Sequence, residues 1–275
     1  MYNPINTKYS DPEKLNASYT TNKPFSHIVL DNFIDEKLLK GVLNEFPDLS
    51  KVKSRIEYKN SREIKFASKG SVDLSPKAFE LISYLNSDLF LAYLQKLTGI
   101  EELLISDPYL SGGGYHEIKN GGVLKVHADF NKHPSMNLDR RVNLLLYLNP
   151  GWKKEWGGNL ELYYKNDLKN PCVSVTPEFN RCVIFSTTSF TFHGHPDELK
   201  IPSDTSRKSI ALYYFSTGRP ESEVSESSHS TLFVETKGER FKRDIFIARA
   251  FAIDLLPPML YRYIEKLLKS KSKKY

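Results

Sequence analysis

Cysteine is scarce, with Cys172 and Cys182 the only two in 275 residues. Two thiols are too few for a disulfide framework and cannot by themselves complete a zinc or iron–sulfur site, so reduced thiols are expected. No apolar run approaches the roughly 18 residues that a membrane-crossing helix needs. The opening MYNPINTKYSDPEKLN has neither a basic stretch nor an apolar one, so no export signal is read there and a cytoplasmic protein is expected. The triplet Asn16-Ala17-Ser18 has the form of a glycosylation acceptor, and without export it reads as chance. Internal repeats and low-complexity tracts are also missing.

What is present is a large apolar inventory. Hydrophobic residues make up 40 % of the chain, with 16 Phe and 16 Tyr among them, which suffices for a sizeable core and excludes a disordered or collagen-like protein. The length is that of one enlarged domain with extensions. The net charge of +6 is unevenly placed: from Lys237 to Tyr275, 11 Lys and Arg face 4 Asp and Glu, so the rest of the chain is close to neutral. Such a tail can touch an anionic surface, but a solvated helix end is the commoner reading, and no nucleic-acid partner is expected.

The pattern divides the chain into three. Residues 1–104 are expected to form an N-terminal arm and helical support. Within them residues 1–24 lack periodicity, Asp35 caps a short helix, and Ser75-Pro76 opens a helix to about Leu97 with Phe79, Ile82, Leu85, Leu89 and Leu94 facing inward. Helices are expected to dominate this first part. After Pro108 come eight short runs of β-branched and aromatic residues, from YHEI to SRKSIALYYFS, separated by glycine-rich turns such as Gly112-Gly113-Gly114. That cadence predicts a mainly β core, an antiparallel barrel or jelly roll, over residues 105–217. Residues 218–275 are expected to be a Ser/Glu-rich linker followed by basic helices in GERFKRDIFIARAF and PPMLYRYIEKLLKSKSKK.

The chemistry concentrates around Val126-His127-Ala128-Asp129-Phe130. On an extended strand residues i and i+2 share a face, so His127 and Asp129 point the same way, as two metal ligands, a base pair or an ordinary surface pair would. A third ligand is offered 66 residues later by Phe192-His193-Gly194-His195-Pro196. Two histidines and one carboxylate occupy one face of an octahedral metal and leave three positions open, the set that suits a non-heme Fe(II) oxygenase. His193 and His195 share a face, and spacing alone does not choose between them. His116 and His133 are assigned to structural or supporting roles, and nothing marks His27 or His229 as ligands. Arg207 opens the last strand on the face of Ser209, Ala211 and Tyr213, opposite Lys208, and an Arg there is costly to bury unless its fork meets a carboxylate.

Together the H-x-D, F-H-G-H-P and S-R-K-S segments resemble the Fe(II)/2-oxoglutarate-dependent dioxygenases, in particular their prolyl 4-hydroxylase-like branch, over roughly residues 105–216. The resemblance implies a double-stranded β-helix with Fe(II) at its mouth, held by His127, Asp129 and His193. It makes His195 a neighbour of that set, Arg207 the partner of the distal carboxylate of 2-oxoglutarate, and Tyr147 a supporting hydroxyl whose competing role is that of a core aromatic. Trp156-Gly157-Gly158-Asn159-Leu160 matches a family turn read as scaffold without chemistry. Tyr115 aligns only loosely with a co-substrate contact. The implied reaction is oxidative decarboxylation of 2-oxoglutarate by O2 to succinate and CO2, with hydroxylation of a substrate C–H. Ascorbate, which re-reduces iron in many members, belongs to the same resemblance.

Two other readings compete. A zinc hydrolase could use the same three ligands, and would leave Arg207 without a dicarboxylate partner. A cupin-like metal-binding module would keep the fold without turnover. Halogenation is disfavoured, because related halogenases replace the carboxylate that Asp129 supplies. Neither Asn131–Arg140 nor Lys153–Trp156, the segments expected to line the mouth, names a substrate, which is open between a prolyl or other protein residue, a small molecule and a glycan precursor.

Overall fold

The computed structural model describes residues 3–224 and 228–236. In chain order the elements are helix α1 (Glu13–Thr21), strand β1 (His27–Asp31), helix α2 (Glu36–Asn44), strands β2 (Ile56–Lys59) and β3 (Glu63–Ala67), helices α3 (Pro76–Leu85) and α4 (Asp88–Thr98), and then ten strands. These are β4 (Ile105–Ser106), β5 (Gly114–Ile118), β6 (Val123–Ala128), β7 (Asp139–Tyr147), β8 (Leu160–Tyr163), β9 (Val173–Val175), β10 (Arg181–Ser186), β11 (Phe192–His195), β12 (Arg207–Ser216) and β13 (Leu232–Phe233). Each of the eight strands expected after Pro108 is present. The two basic helices expected in the tail lie outside the described residues.

The helix starts follow their capping groups. Asp35 accepts a hydrogen bond from Leu38 N at 2.8 Å, and α2 buries Leu38, Leu39 and Val42. Ser75 accepts from Ala78 N at 3.3 Å, and Pro76 occupies the first turn of α3. The helix expected to run to Leu97 is instead two. Asn86 ends α3, Ser87 caps α4 by accepting from Phe90 N at 3.4 Å, and Gly99 closes α4 with φ +71°. The inward face also differs from the expected one: α3 buries Ala78, Leu81, Ile82 and Leu85, leaving Phe79 57 % exposed, and on the new axis of α4 Leu94 is buried while Leu89 is 55 % exposed.

The N-terminal segment is also more structured than expected. Helix α1 buries a single residue, Tyr19, whose hydroxyl lies 2.8 Å from Ser186 Oγ, and Asn16 Nδ2 donates to Leu97 O at 3.1 Å. One buried position in nine residues leaves no periodic signal in the sequence. Helices dominate the first hundred residues as expected, α1 to α4 covering more than twice as many of them as the strands, but β1, β2 and β3, which were not expected, join the sheet; each is four or five residues long, too short to set up a clear alternation.

The strands pair in the order β1-β10-β7-β12-β5-β3-β6-β11-β8-β9, all antiparallel. One wall is β1-β10-β7-β12-β5 and the other is β6-β11-β8-β9, with β3 bonded to both β5 and β6. This is the jelly-roll arrangement of a double-stranded β-helix. Leu144, Leu146, Ile184, Leu212 and Tyr214 turn outward to meet Leu39, Phe90 and Leu94 of the helices in the main core. Full burial of each such side chain favours the fold by about 1.5–3 kcal/mol. The alternate residues of β7, Asn143, Leu145 and Tyr147, face the space between the walls.

The segment expected to be a polar linker is held down at both described ends. Arg141 Nη1 donates to Gly218 O at 3.1 Å, and Arg219 Nε lies 3.3 Å from Asp139 Oδ1. Further on, β13 pairs with β6, placing Leu232 opposite Ala128 and Phe233 opposite His127. Among the described residues no helix is long and apolar enough to cross a membrane.

Candidate active site

The cavity between the walls is lined by residues of β3, β5, β6, β7, β8, β11 and β12. Pairing of β6 with β11 sets His127 directly opposite His193, with ring centroids 4.4 Å apart. Asp129, just past the end of β6, inserts its carboxylate between them: Oδ1 is 3.5 Å from His127 Nε2 and Oδ2 is 3.4 Å from His193 Nε2. One ligand atom from each of His127, Asp129 and His193 lies within 4.8 Å of the others, so the three can hold a single metal ion.

Both rings are oriented by the backbone. His127 Nδ1 donates to Lys125 O at 2.8 Å and His193 Nδ1 to Thr191 O at 3.2 Å. A carbonyl only accepts, so the proton sits on Nδ1 and the Nε2 lone pairs face each other across Asp129. Burial, only partly offset by Asp129, pushes His193 down to about 4. Burial raises Asp129, but Arg140, His193 and His127 together outweigh it and hold the carboxyl well below its usual range. The donors are therefore two imidazoles that turn Nε2 toward one carboxylate, a set that fits a divalent cation with open positions.

Arg140 and Asn143, to which no motif pointed, secure that carboxylate. Asn143 Nδ2 donates to Asp129 Oδ2 at 2.7 Å, and Arg140 Nη2 lies 3.0 Å from the same oxygen. The guanidinium of Arg140 stacks over Tyr213 at 3.5 Å and Phe130 at 4.3 Å, and its Nε donates to Asn143 Oδ1 at 2.9 Å. Asn143 shares the face of Tyr147 by simple alternation and was readable on that ground. Arg140 was not, because a register shift between Tyr214 and Phe215 of β12 pairs Phe215 with Arg140. Plain alternation from Tyr147 would turn Arg141 inward; Arg141 instead meets Glu102 at 2.7 Å.

Arg207 lies in the same cavity, buried, with Tyr147 and Ser209 also lining it. Its Nε donates to Gly158 O at 2.8 Å and its Nη2 to Tyr147 Oη at 3.4 Å, with the guanidinium 4.9 Å from that ring. No carboxylate among the described residues pairs with it. Lys208 points the other way, over Phe46 at 5.7 Å. Gly158 is more than scaffold: its carbonyl anchors Arg207, and a Cβ there would lie 3.1 Å from Arg207 Cδ and 2.5 Å from Leu199 Cδ2. Tyr115 is turned away from the cavity, its hydroxyl 2.9 Å from Ser75 Oγ.

The remaining histidines separate cleanly. His195 and His116 line the cavity, and His116 Nε2 donates to Gly112 O at 3.0 Å. His133 lies 3.1 Å from Ser111 Oγ and 3.3 Å from Asp107 Oδ2, but both contacts are on Nε2 while Nδ1 accepts from Ser135 N and Met136 N. That ring is a structural pin and not a base for Ser111. His229 Nε2 is 2.7 Å from Ser189 Oγ, in a second cavity lined by Phe130, His133 and residues 228–231.

Comparison with known proteins places this geometry. The family model described as 2OG-Fe(II) oxygenase superfamily matches residues 113–215. The mouse prolyl 3-hydroxylase OGFOD1 is 28 % identical over 206 residues, which is 70 % of this chain and 33 % of that protein, so the chain spans about a third of the length of this relative. Among solved structures, a prolyl hydroxylase from Trichoplax adhaerens in complex with a hypoxia-inducible-factor peptide is similar with a TM-score of 0.56 at 19 % identity, covering 76 % of this chain and 91 % of that one. HygX from Streptomyces hygroscopicus, with nickel and 2-oxoglutarate bound, is similar with a TM-score of 0.50 at 12 % identity, covering 80 % and 96 %. At these identities the structural likenesses establish the shared fold.

Proposed function

Residues 113–215 are a 2OG-Fe(II) oxygenase domain of the prolyl 4-hydroxylase-like kind, and from that premise we propose that the protein is an Fe(II)- and 2-oxoglutarate-dependent hydroxylase in which His127, Asp129 and His193 hold the iron. The observation that carries the reading is one cavity with a three-donor metal set at one end and a buried, acid-free Arg207 at the other. A buried guanidinium without a carboxylate calls for an anion from outside, and its planar fork suits a carboxylate. The zinc-hydrolase reading gives Arg207 no such partner.

When bound, iron supplies the activation of O2 that couples decarboxylation of 2-oxoglutarate to hydroxylation of a C–H bond, giving succinate and CO2. The chain's own residues do the rest. Asp129 supplies the negative charge among the ligands, and Arg140 with Asn143 keeps it ionised and fixed. Arg207 and Tyr147 bind the far carboxylate and so set the direction in which the 2-oxo acid enters. Leu145 and Leu160 give the cavity an apolar lining that limits water.

Residues 105–217 are the catalytic core in this proposal, with 1–104 as support and 218–275 as an appendage, in a cytoplasmic protein. For the primary substrate we put forward a residue of a protein, proline first, because the mouse relative is a prolyl 3-hydroxylase and the Trichoplax structure is a prolyl hydroxylase with a peptide. The test is anaerobic titration with Fe(II) and 2-oxoglutarate. A weak visible charge-transfer band in wild type, lost in His193→Ala and kept in His195→Ala, is the expected result. Folded, iron-loaded protein without the band would overturn the proposal in favour of the hydrolase or binding-module reading.

A further inference from the structure

The proposed function leaves one buried cavity residue unused. His195 lies two residues beyond His193 on β11, and the register shifts between them, so that His193 faces His127 while His195 faces Leu124. Gly194 permits this irregularity: a Cβ there would lie 2.8 Å from Leu124 O and 3.0 Å from Lys125 O, closer than any side chain tolerates. The imidazole of His195 is 4 % exposed and lines the same cavity as Arg207, Tyr147, Ser209 and Lys65.

Its hydrogen bonding sets it apart. His127, His193 and His116 each engage a backbone carbonyl through one ring nitrogen. In His195 neither Nδ1 nor Nε2 has a partner at hydrogen-bonding geometry. The backbone of Asp197 approaches the ring without reaching hydrogen-bonding geometry, and the charges near it include the cations Arg207 and Lys65. A buried imidazole with no partner is destabilising, and native proteins leave such groups only where something else completes them. A neutral ring has one N–H to give. Lys65 is matched by Glu63 at 3.2 Å, but Arg207, Tyr147 and Ser209 bring donors to this end of the cavity and Arg207 has no anion of its own, so the missing partner is an oxyanion.

We propose that His195 is a third binding residue for the distal carboxylate of 2-oxoglutarate, donating one ring N–H to the carboxylate that Arg207 and Tyr147 also hold. This inference rests on the proposed function, since it needs the dicarboxylate in the cavity. It assigns His195 to selection between dicarboxylic and monocarboxylic 2-oxo acids and leaves metal binding to the other two histidines.

The test uses the full chain loaded with Mn(II) under anaerobic conditions and measures binding by calorimetry, with no turnover involved. The probes are 2-oxoglutarate and pyruvate, which share the 2-oxo acid group and differ in the second carboxylate. For His195→Leu the expected result is a roughly ten- to hundredfold weaker affinity for 2-oxoglutarate, the loss of one hydrogen bond to a charged group. Pyruvate and Mn(II) affinities should stay as in wild type, and His195→Gln, which keeps an N–H donor, should recover part of the loss. If 2-oxoglutarate binds His195→Leu as tightly as wild type, or if both acids lose equally in both variants, the assignment of His195 is overturned and the proposed function stands. If metal-loaded wild type binds no 2-oxoglutarate, both fall.

Discussion

At the His127 end of the cavity every charge meets its complement within the chain, whereas at the other end Lys65 meets Glu63 at 3.2 Å but the guanidinium of Arg207 meets no anion. Asp129 is matched by Arg140 and Asn143, and the two imidazoles facing it are held by carbonyls on their far sides. Arg207 is buried against a carbonyl and a tyrosine, in a cavity that also holds the partnerless imidazole of His195. The first end is set before any ligand arrives, which suits a metal that must be held in one geometry. The second keeps its positive charge uncompensated, so the ligand that neutralises it also completes the fold of the cavity. One end is organised for permanence and the other for exchange.

The contrast can be broken most strongly at Asp129. Asp129→Ala should abolish Mn(II) or Fe(II) binding and with it all decarboxylation of 2-oxoglutarate, and it leaves Arg140 buried without its anion, at a cost of about 3–5 kcal/mol in urea unfolding. Metal titration that matched wild type would remove Asp129 from the ligand set. At the other end Arg207→Ala should weaken 2-oxoglutarate by about 2–5 kcal/mol and leave metal affinity alone. An unchanged 2-oxoglutarate affinity would show that the far carboxylate sits elsewhere.

Acid sharpens the comparison with a smaller effect. His193, lowered to about 4 chiefly by burial, stays neutral in the fold at a pH where the unfolded chain, at the ordinary 6.5, takes up a proton. The unfolded state therefore binds more protons between these limits, so this contribution is complete above about pH 6.5 and is lost as the pH falls toward 4. For metal-free protein the loss between pH 7 and 5 should be roughly 2 kcal/mol from this ring. Urea midpoints at the two values check it; a flat profile would mean that water reaches the ring.

Much of this was legible because alternation and turn chemistry are local. The eight core strands, the shared face of His127 and Asp129, and the inward parity of Arg207 and Tyr147 against Lys208 all follow from a period of two. What escaped depends on contacts made far along the chain. The break at Ser87 is visible only as a capping hydroxyl inside an apparently continuous apolar period, and β1 to β3 are strands because the barrel edge accepts them. Arg140 reaches the site through an irregularity in its partner strand, and Gly158 holds Arg207 with a backbone atom, which residue types cannot reveal.

The pairing of His127 with His193 has a further consequence for how the chain folds. The two strands are 66 residues apart, and loop-closure entropy makes such contacts late and slow. A slip of one residue between β6 and β11 would turn one of the two histidines out of the cavity. An ion that needs both can bind only the correct pairing, and at 100 times its dissociation constant it adds about 2.7 kcal/mol to that pairing alone. If His127 and His193 hold the metal as proposed, that ion would act as a proofreader of sheet register, rewarding the one alignment in which the barrel is finished.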